Sequence, residues 1–116
     1  MRAIVPLILL TACGVSAASD GRWLGTMTPD PATPGCETGR ASLVATHGTV
    51  LFTPNEGTLM LQGAAAPDGL VTAVRTTTGA DKKPYALRLA ARLDGDRITG
   101  TYATPRCSYA VTLRRA

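Results

Sequence analysis

Histidine occurs once in the 116 residues, as His47, and cysteine three times. A transition-metal site needs clustered donors, and His47, Cys36 and Cys107 are far apart in sequence, so no metal and no cofactor are expected. The sequence contains no HExxH, no P-loop, no Gly-x-Ser-x-Gly and no dinucleotide-binding glycine pattern. An enzyme is therefore not expected. Aromatic residues are limited to one Trp, one Phe and three Tyr, so a core must be built mainly from Leu, Val, Ala and Met. No apolar run approaches the roughly 20 residues that span a bilayer as a helix. The net charge of +4 is too small to imply nucleic acid as a partner.

What charge there is lies unevenly. Residues 13–74 hold two basic side chains, Arg22 and Arg40, against five acidic ones, whereas residues 75–116 hold nine basic against three acidic. An uneven solvated surface accounts for this as well as a binding face does.

The first residues read as a secretory leader. Arg2 supplies a minimal positive region and Ala3 to Leu10 a short apolar one. Two processing sites compete. Leu10-Thr11-Ala12-Cys13 resembles a bacterial lipobox, in which Cys13 is acylated and becomes the new N-terminus. Val15-Ser16-Ala17 offers ordinary signal-peptidase cleavage after residue 17. The leader is thus 1–17, or 1–12 for a lipoprotein, which is the preferred reading despite a short leader interrupted by Pro6. Gly14, where an Asp would retain a lipoprotein at the inner membrane, points to the outer membrane. Residues 14–21 are small and polar and read as a tether, ahead of a single domain at 18–116.

Either cut removes Cys13 as a free thiol and leaves Cys36 and Cys107. An even pair in an oxidising compartment predicts a disulfide.

The stretch 28–39 carries three prolines and two glycines and is expected to be a long loop. The rest divides into short segments separated by turn signals. Residues 85–93, 97–103 and 107–114 alternate with a period of two, as half-buried antiparallel strands do. Helix formers make 85–93 a possible helix, but its strict Leu/Arg alternation favours a strand. Residues 41–46, 49–53, 58–63 and 70–77 are further expected strands, and Trp23, Gly25 and Met27 share one face of a first one. Eight strands in about 100 residues predict an all-β fold, a small antiparallel up-and-down barrel or meander, with a two-sheet β-sandwich as the alternative. The first and last strands would pair and bury Trp23 against Tyr109 or Tyr102. Trp23 is expected in the core, its functional alternative being the floor of a ligand cup.

The opening Asp20-Gly21-Arg22-Trp23-Leu24-Gly25-Thr26 and the ending Gly100-Thr101-Tyr102, Cys107-Ser108-Tyr109 resemble small exported β-rich (lipo)proteins of α-proteobacteria, with their DGxWxGT start and GTY…CxY end. The resemblance covers about a third of the chain. It implies a β fold and an exported location and carries over no active site. Gly21-Arg22-Trp23 is also loosely similar to the lipocalin Gly-x-Trp motif.

Three functions fit these observations. The first is a non-enzymatic binding or interaction module of the bacterial envelope, joined to the membrane through an N-terminal lipid. The second is a small inhibitor of an exported hydrolase, by fold-level analogy. The third is a barrel that binds a small ligand. Arg88, Arg92, Arg97 and Arg114 fall on the polar faces of the last three strands, where they would share one outer wall with few acids nearby. Such a wall would suit an anionic surface or an acidic envelope protein, or would only solubilise the sheet. His47 reads as an exposed turn residue, and Asp94 and Asp96 as hairpin-turn residues.

Overall fold

Residues 20–116 are described by the computed structural model; the leader, Cys13 and residues 14–19 of the tether lie outside the described residues. Eight strands follow one another: β1 (Gly21–Pro29), β2 (Gly39–Thr46), β3 (Thr49–Pro54), β4 (Leu61–Ala65), β5 (Leu70–Thr78), β6 (Pro84–Asp94), β7 (Arg97–Ala103) and β8 (Ser108–Arg115). Each pairs antiparallel with the next, and β8 returns to β1, so the sheet closes as an up-and-down barrel. The closing ladder from Trp23↔Arg115 to Pro29↔Tyr109 leaves no open sheet edge there, and the two-sheet sandwich is not adopted. The expected all-β fold and its eight strands are found. The Leu/Arg alternation at 85–93 lies within β6, because Leu87, Leu89 and Ala91 turn inward and Arg88, Ala90 and Arg92 outward.

The inward positions meet in one apolar core. Trp23, Phe52, Met27, Leu43, Leu61, Leu89, Ile98 and Leu113 are its largest fully buried members. An eight-stranded barrel is just wide enough for side chains of this size to fill. Close approach of strands is bought by glycine. A Cβ on Gly25 would meet the Thr112 carbonyl of β8, and one on Gly63 the Thr72 carbonyl of β5.

The barrel has two rims. At the terminal rim lie Asp20, the C-terminus and the turns around His47-Gly48, Pro67-Asp68 and Gly95-Asp96. His47 (φ 52°) and Gly48 (φ 83°) both adopt the left-handed conformation of a tight two-residue hairpin. The His47 side chain is exposed, and its backbone N–H donates to the Asp20 carboxylate at 2.8 Å. The loop rim carries the connections at 30–38, 55–60, 79–83 and 104–107. The Cys36–Cys107 disulfide joins the first of these to the last across 71 residues. Closing a loop of that length contributes roughly 4 kcal/mol in the chain-entropy picture. A disulfide is compatible with an exported, oxidising compartment.

Two expectations are corrected. The fourth strand begins at Leu61, not at 58, because Asn55 (φ 58°) and Glu56 (φ 53°) turn the chain left-handed and the ladder with β3 resumes only at Phe52↔Leu61. Trp23 does not pack on Tyr109 or Tyr102. The β1–β8 register sets Trp23 opposite Arg115 at the terminal rim, while Tyr109 pairs with Pro29 six residues away, toward the loop rim. Tyr102 instead stacks on Tyr109 with ring centroids 5.7 Å apart and tilts against Phe52 at 5.4 Å.

Candidate functional site

The strands are unequal in length, and this shapes the loop rim. β5 and β6 stay paired from Leu70↔Arg92 to Thr78↔Pro84. The β4 ladder ends at Gln62↔Val74 on one side, and the β7 ladder begins at Arg88↔Ala103 on the other. Four residue pairs, Arg75↔Leu87 to Thr78↔Pro84, therefore stand beyond their neighbours as a two-stranded arm. At about 3.4 Å per residue it projects roughly 10 Å before its turn. That turn is closed by the Lys82 N–H donating to the Gly79 carbonyl at 2.9 Å, and by the Asp81 carboxylate accepting from the Lys83 N–H at 3.0 Å.

Between the arm and the disulfide-held 104–107 loop lies an open cleft of about 710 Å³. Tyr85, Leu87, Tyr102 and Leu59 give it an apolar and aromatic lining, and Lys83 and Arg106 stand at its margin. The Arg75 guanidinium donates to the Met60 carbonyl at 3.4 Å, across the place that a longer β4 would occupy. Thr104 orders the facing loop: its hydroxyl oxygen accepts from the Cys107 N–H at 2.9 Å. The Tyr102 hydroxyl is pushed up to about 12, first by burial and then by the neighbouring Tyr109 and Tyr85. It is neutral at any physiological pH, so this side chain meets the cleft as a phenol.

The four arginines of the predicted outer wall are all exposed, but they do not form one even group. Arg97 and Arg114 are direct cross-strand partners. Arg92, opposite Thr99, lies diagonal to Arg97 on the same face, and its guanidinium donates to the Asp68 carbonyl at 3.2 Å. Arg88 stands four residues further along β6, beyond Ala90, toward the loop rim. Asp94 is the direct partner of Arg97, so an acid adjoins the cluster that spacing alone set apart at a turn. The result is three arginines near the terminal rim and a separate one.

Sequence reasoning missed a second outer feature. The register sets Arg22, Val44, Leu51, Gln62, Val74 and Arg88 side by side around the barrel. Val44, Leu51 and Val74 are each at least 40% exposed within it. It also missed the cleft residues Tyr85, Lys83 and Arg106, and Arg75 at the base of the arm. The available signal was a length mismatch: the alternating segment at 85–93 outruns its partner at 97–103.

Among the described residues no three His, Cys, Asp or Glu side chains come together as a metal cluster, and no helix is long and apolar enough to cross a membrane. The chain matches no protein-family model, no curated protein and no solved structure.

Proposed function

We propose that this chain is an exported, lipid-anchored module of the bacterial envelope that works by binding and not by catalysis. Acylated Cys13 would hold it at the terminal rim, leaving the loop rim to meet its partner. The observation that carries this reading is the separation of the two rims. Asp20, the first described residue, joins the barrel at the rim that bears Arg92, Arg97 and Arg114. The cleft, the arm and the disulfide lie at the other. Asp20 is the seventh residue after Cys13, and seven steps of chain even fully extended reach no more than about 25 Å. A lipid on Cys13 thus keeps the three arginines within range of headgroup phosphates, which the planar guanidinium suits.

The test is incorporation of labelled palmitate in a host that processes lipoproteins. Wild-type chain should take up label and fractionate with the outer membrane, and Cys13→Ser should do neither. Unlabelled wild-type protein in the soluble periplasm, beginning at Ala18, would overturn the anchor.

An inhibitor of an exported hydrolase is a second reading, favoured by one observation. The 30–38 loop is held at Cys36 by the disulfide, and the Asp30 side chain and backbone carbonyl accept from Ala32 and Thr33 at 3.0 and 2.9 Å. A loop constrained in this way suits insertion into a partner, because little conformational freedom is lost on binding.

A further inference from the structure

Among the described residues no strand pairs with either edge of the arm, and the two edges are not alike. In an antiparallel strand the N–H and C=O of one residue point to the same side, and the side alternates along the chain. The Leu70 carbonyl accepts from the Ala66 N–H at 2.8 Å, which sets the even-numbered residues of β5 facing β4. Thr76 and Thr78 are the next two of that set beyond Val74, where the β4 ladder stops. On β6, the Leu93 N–H donates to Gly69 on the β5 side at 2.7 Å, so the even-numbered residues face β7. Beyond Arg88 these are Ala86 and Pro84, and proline has no N–H to offer.

The β6 edge is thus blunted by Pro84, one of the usual ways by which proteins keep strands from pairing with other chains. The β5 edge carries no proline, and the Arg75 guanidinium crosses it only at the base of the arm, to the Met60 carbonyl. Thr76, Thr77 and Thr78 have high strand propensity and carry no charge, and Thr76 and Thr78 are exposed. The apolar cleft lies on the β6 side of the arm, lined by Pro84, Tyr85 and Leu87, and reaches Leu59 of the 55–60 connection. Lys83 and Arg106 line the cleft and Arg75 and Lys82 belong to the arm, on which only Asp81 is acidic.

We propose that the β5 edge at Thr76–Thr78 accepts an extended, acidic segment of a partner protein as an added strand. This inference rests on the reading of the barrel as a binding module and names its partner. Main-chain bonds to Thr76 and Thr78 supply the pairing, and an alternate side chain of the added strand, large and apolar, enters the cleft between Leu59 and Tyr85. The arm cations select acidic residues flanking that side chain, and selection of this kind weakens with salt.

The test uses the full chain in detergent solution with its disulfide intact, and no membrane. The probe is a displayed library of seven-residue segments that alternate β-branched and large apolar residues between acidic ends. Selected peptides are expected to shift the Thr76 and Thr78 amide resonances. Thr76→Pro with Thr78→Pro should bind about tenfold more weakly or worse, the scale set by losing one or more hydrogen bonds. Because those substitutions can disturb the arm, the peptide is altered as well. Of two synthetic versions N-methylated at alternate backbone nitrogens, only the one methylated on the face toward β5 should lose affinity. Failure to select any peptide overturns the proposal. Equal binding by both methylated versions also overturns it, since the cleft alone would then account for recognition. Self-association that uses the same edge would assign it to a second copy of this chain instead. Lipid attachment has no part in this assay, so its result and that of palmitate labelling stand apart.

Discussion

The guanidinium carbon of Arg115 stands 4.6 Å from the centroid of the Trp23 ring, directly across the β1–β8 ladder that closes the barrel. Arg115 occupies an inward position of β8, following Val111 and Leu113, so a cation takes the place where the next apolar side chain would sit. Its guanidinium also donates to the Asp20 carbonyl at 2.9 Å, and its backbone N–H to the Asp96 carbonyl at 2.9 Å. Trp23 is fully buried, and among the described residues its indole N–H has no hydrogen-bond partner. The arginine is the cover that keeps water from that ring.

Replacing the cover should therefore be felt at the tryptophan. Arg115→Ala is expected to lower stability by about 1–2 kcal/mol, through the lost cation–π contact and the lost packing of the aliphatic stem. It should also shift the emission of the sole Trp to longer wavelength. Asp96→Asn should change little, because its carboxylate is 87% exposed and lies 3.9 Å from the Arg115 side chain. Chemical denaturation followed by fluorescence measures both variants. Unchanged emission and stability in Arg115→Ala would show that the ring needs no cover.

Tyr102 makes stability depend on alkaline pH. Its hydroxyl rises from an ordinary 10 to about 12 in the folded protein, so the folded state holds this proton more tightly than the unfolded chain. That contribution is fully present below pH 10 and is lost as pH rises through about 12. Unfolding midpoints should fall across this interval, and Tyr102→Phe should flatten the fall. Ultraviolet difference titration of phenolate formation reports the same event directly. Ionisation of Tyr102 near pH 10 with no loss of structure would contradict it.

The arginines should act unequally. Vesicles containing anionic phospholipid should bind the wild-type chain more weakly as salt increases. Arg92→Gln, Arg97→Gln and Arg114→Gln together should remove most of that binding, because the register groups these three near the terminal rim. Arg88→Gln alone should remove little, since it stands four positions along β6 from Arg92. Equal binding by wild type and the triple variant would reduce the cluster to a solubilising surface.

Much of the barrel was legible from local pattern. Tyr85, Leu87, Leu89, Ala91 and Leu93 alternate with small or basic residues, and a period of two assigns each to a face without reference to any other strand. Turn residues such as His47-Gly48 bound the segments for an equally local reason, since backbone conformation is set within a few residues. The pairing of Cys36 with Cys107 needed only the exclusion of Cys13. What alternation cannot supply is register, because sliding one strand by two residues leaves every side chain on its own face.

Register is what the tertiary structure decided, and the candidate sites follow from it. It sent Trp23 to Arg115 instead of to Tyr109, and split Arg88 from the other three arginines. It also carried the β5–β6 pairing four residue pairs past β4 and β7, which made the arm, its open edge and the cleft beside it. In β1 and in β6 to β8 the sequence by itself determined which residues turn inward, since that depends on backbone geometry within each strand. Which of them face one another depends on how the strands shift when eight of them must close a ring around side chains of unequal size, and no single segment contains that information.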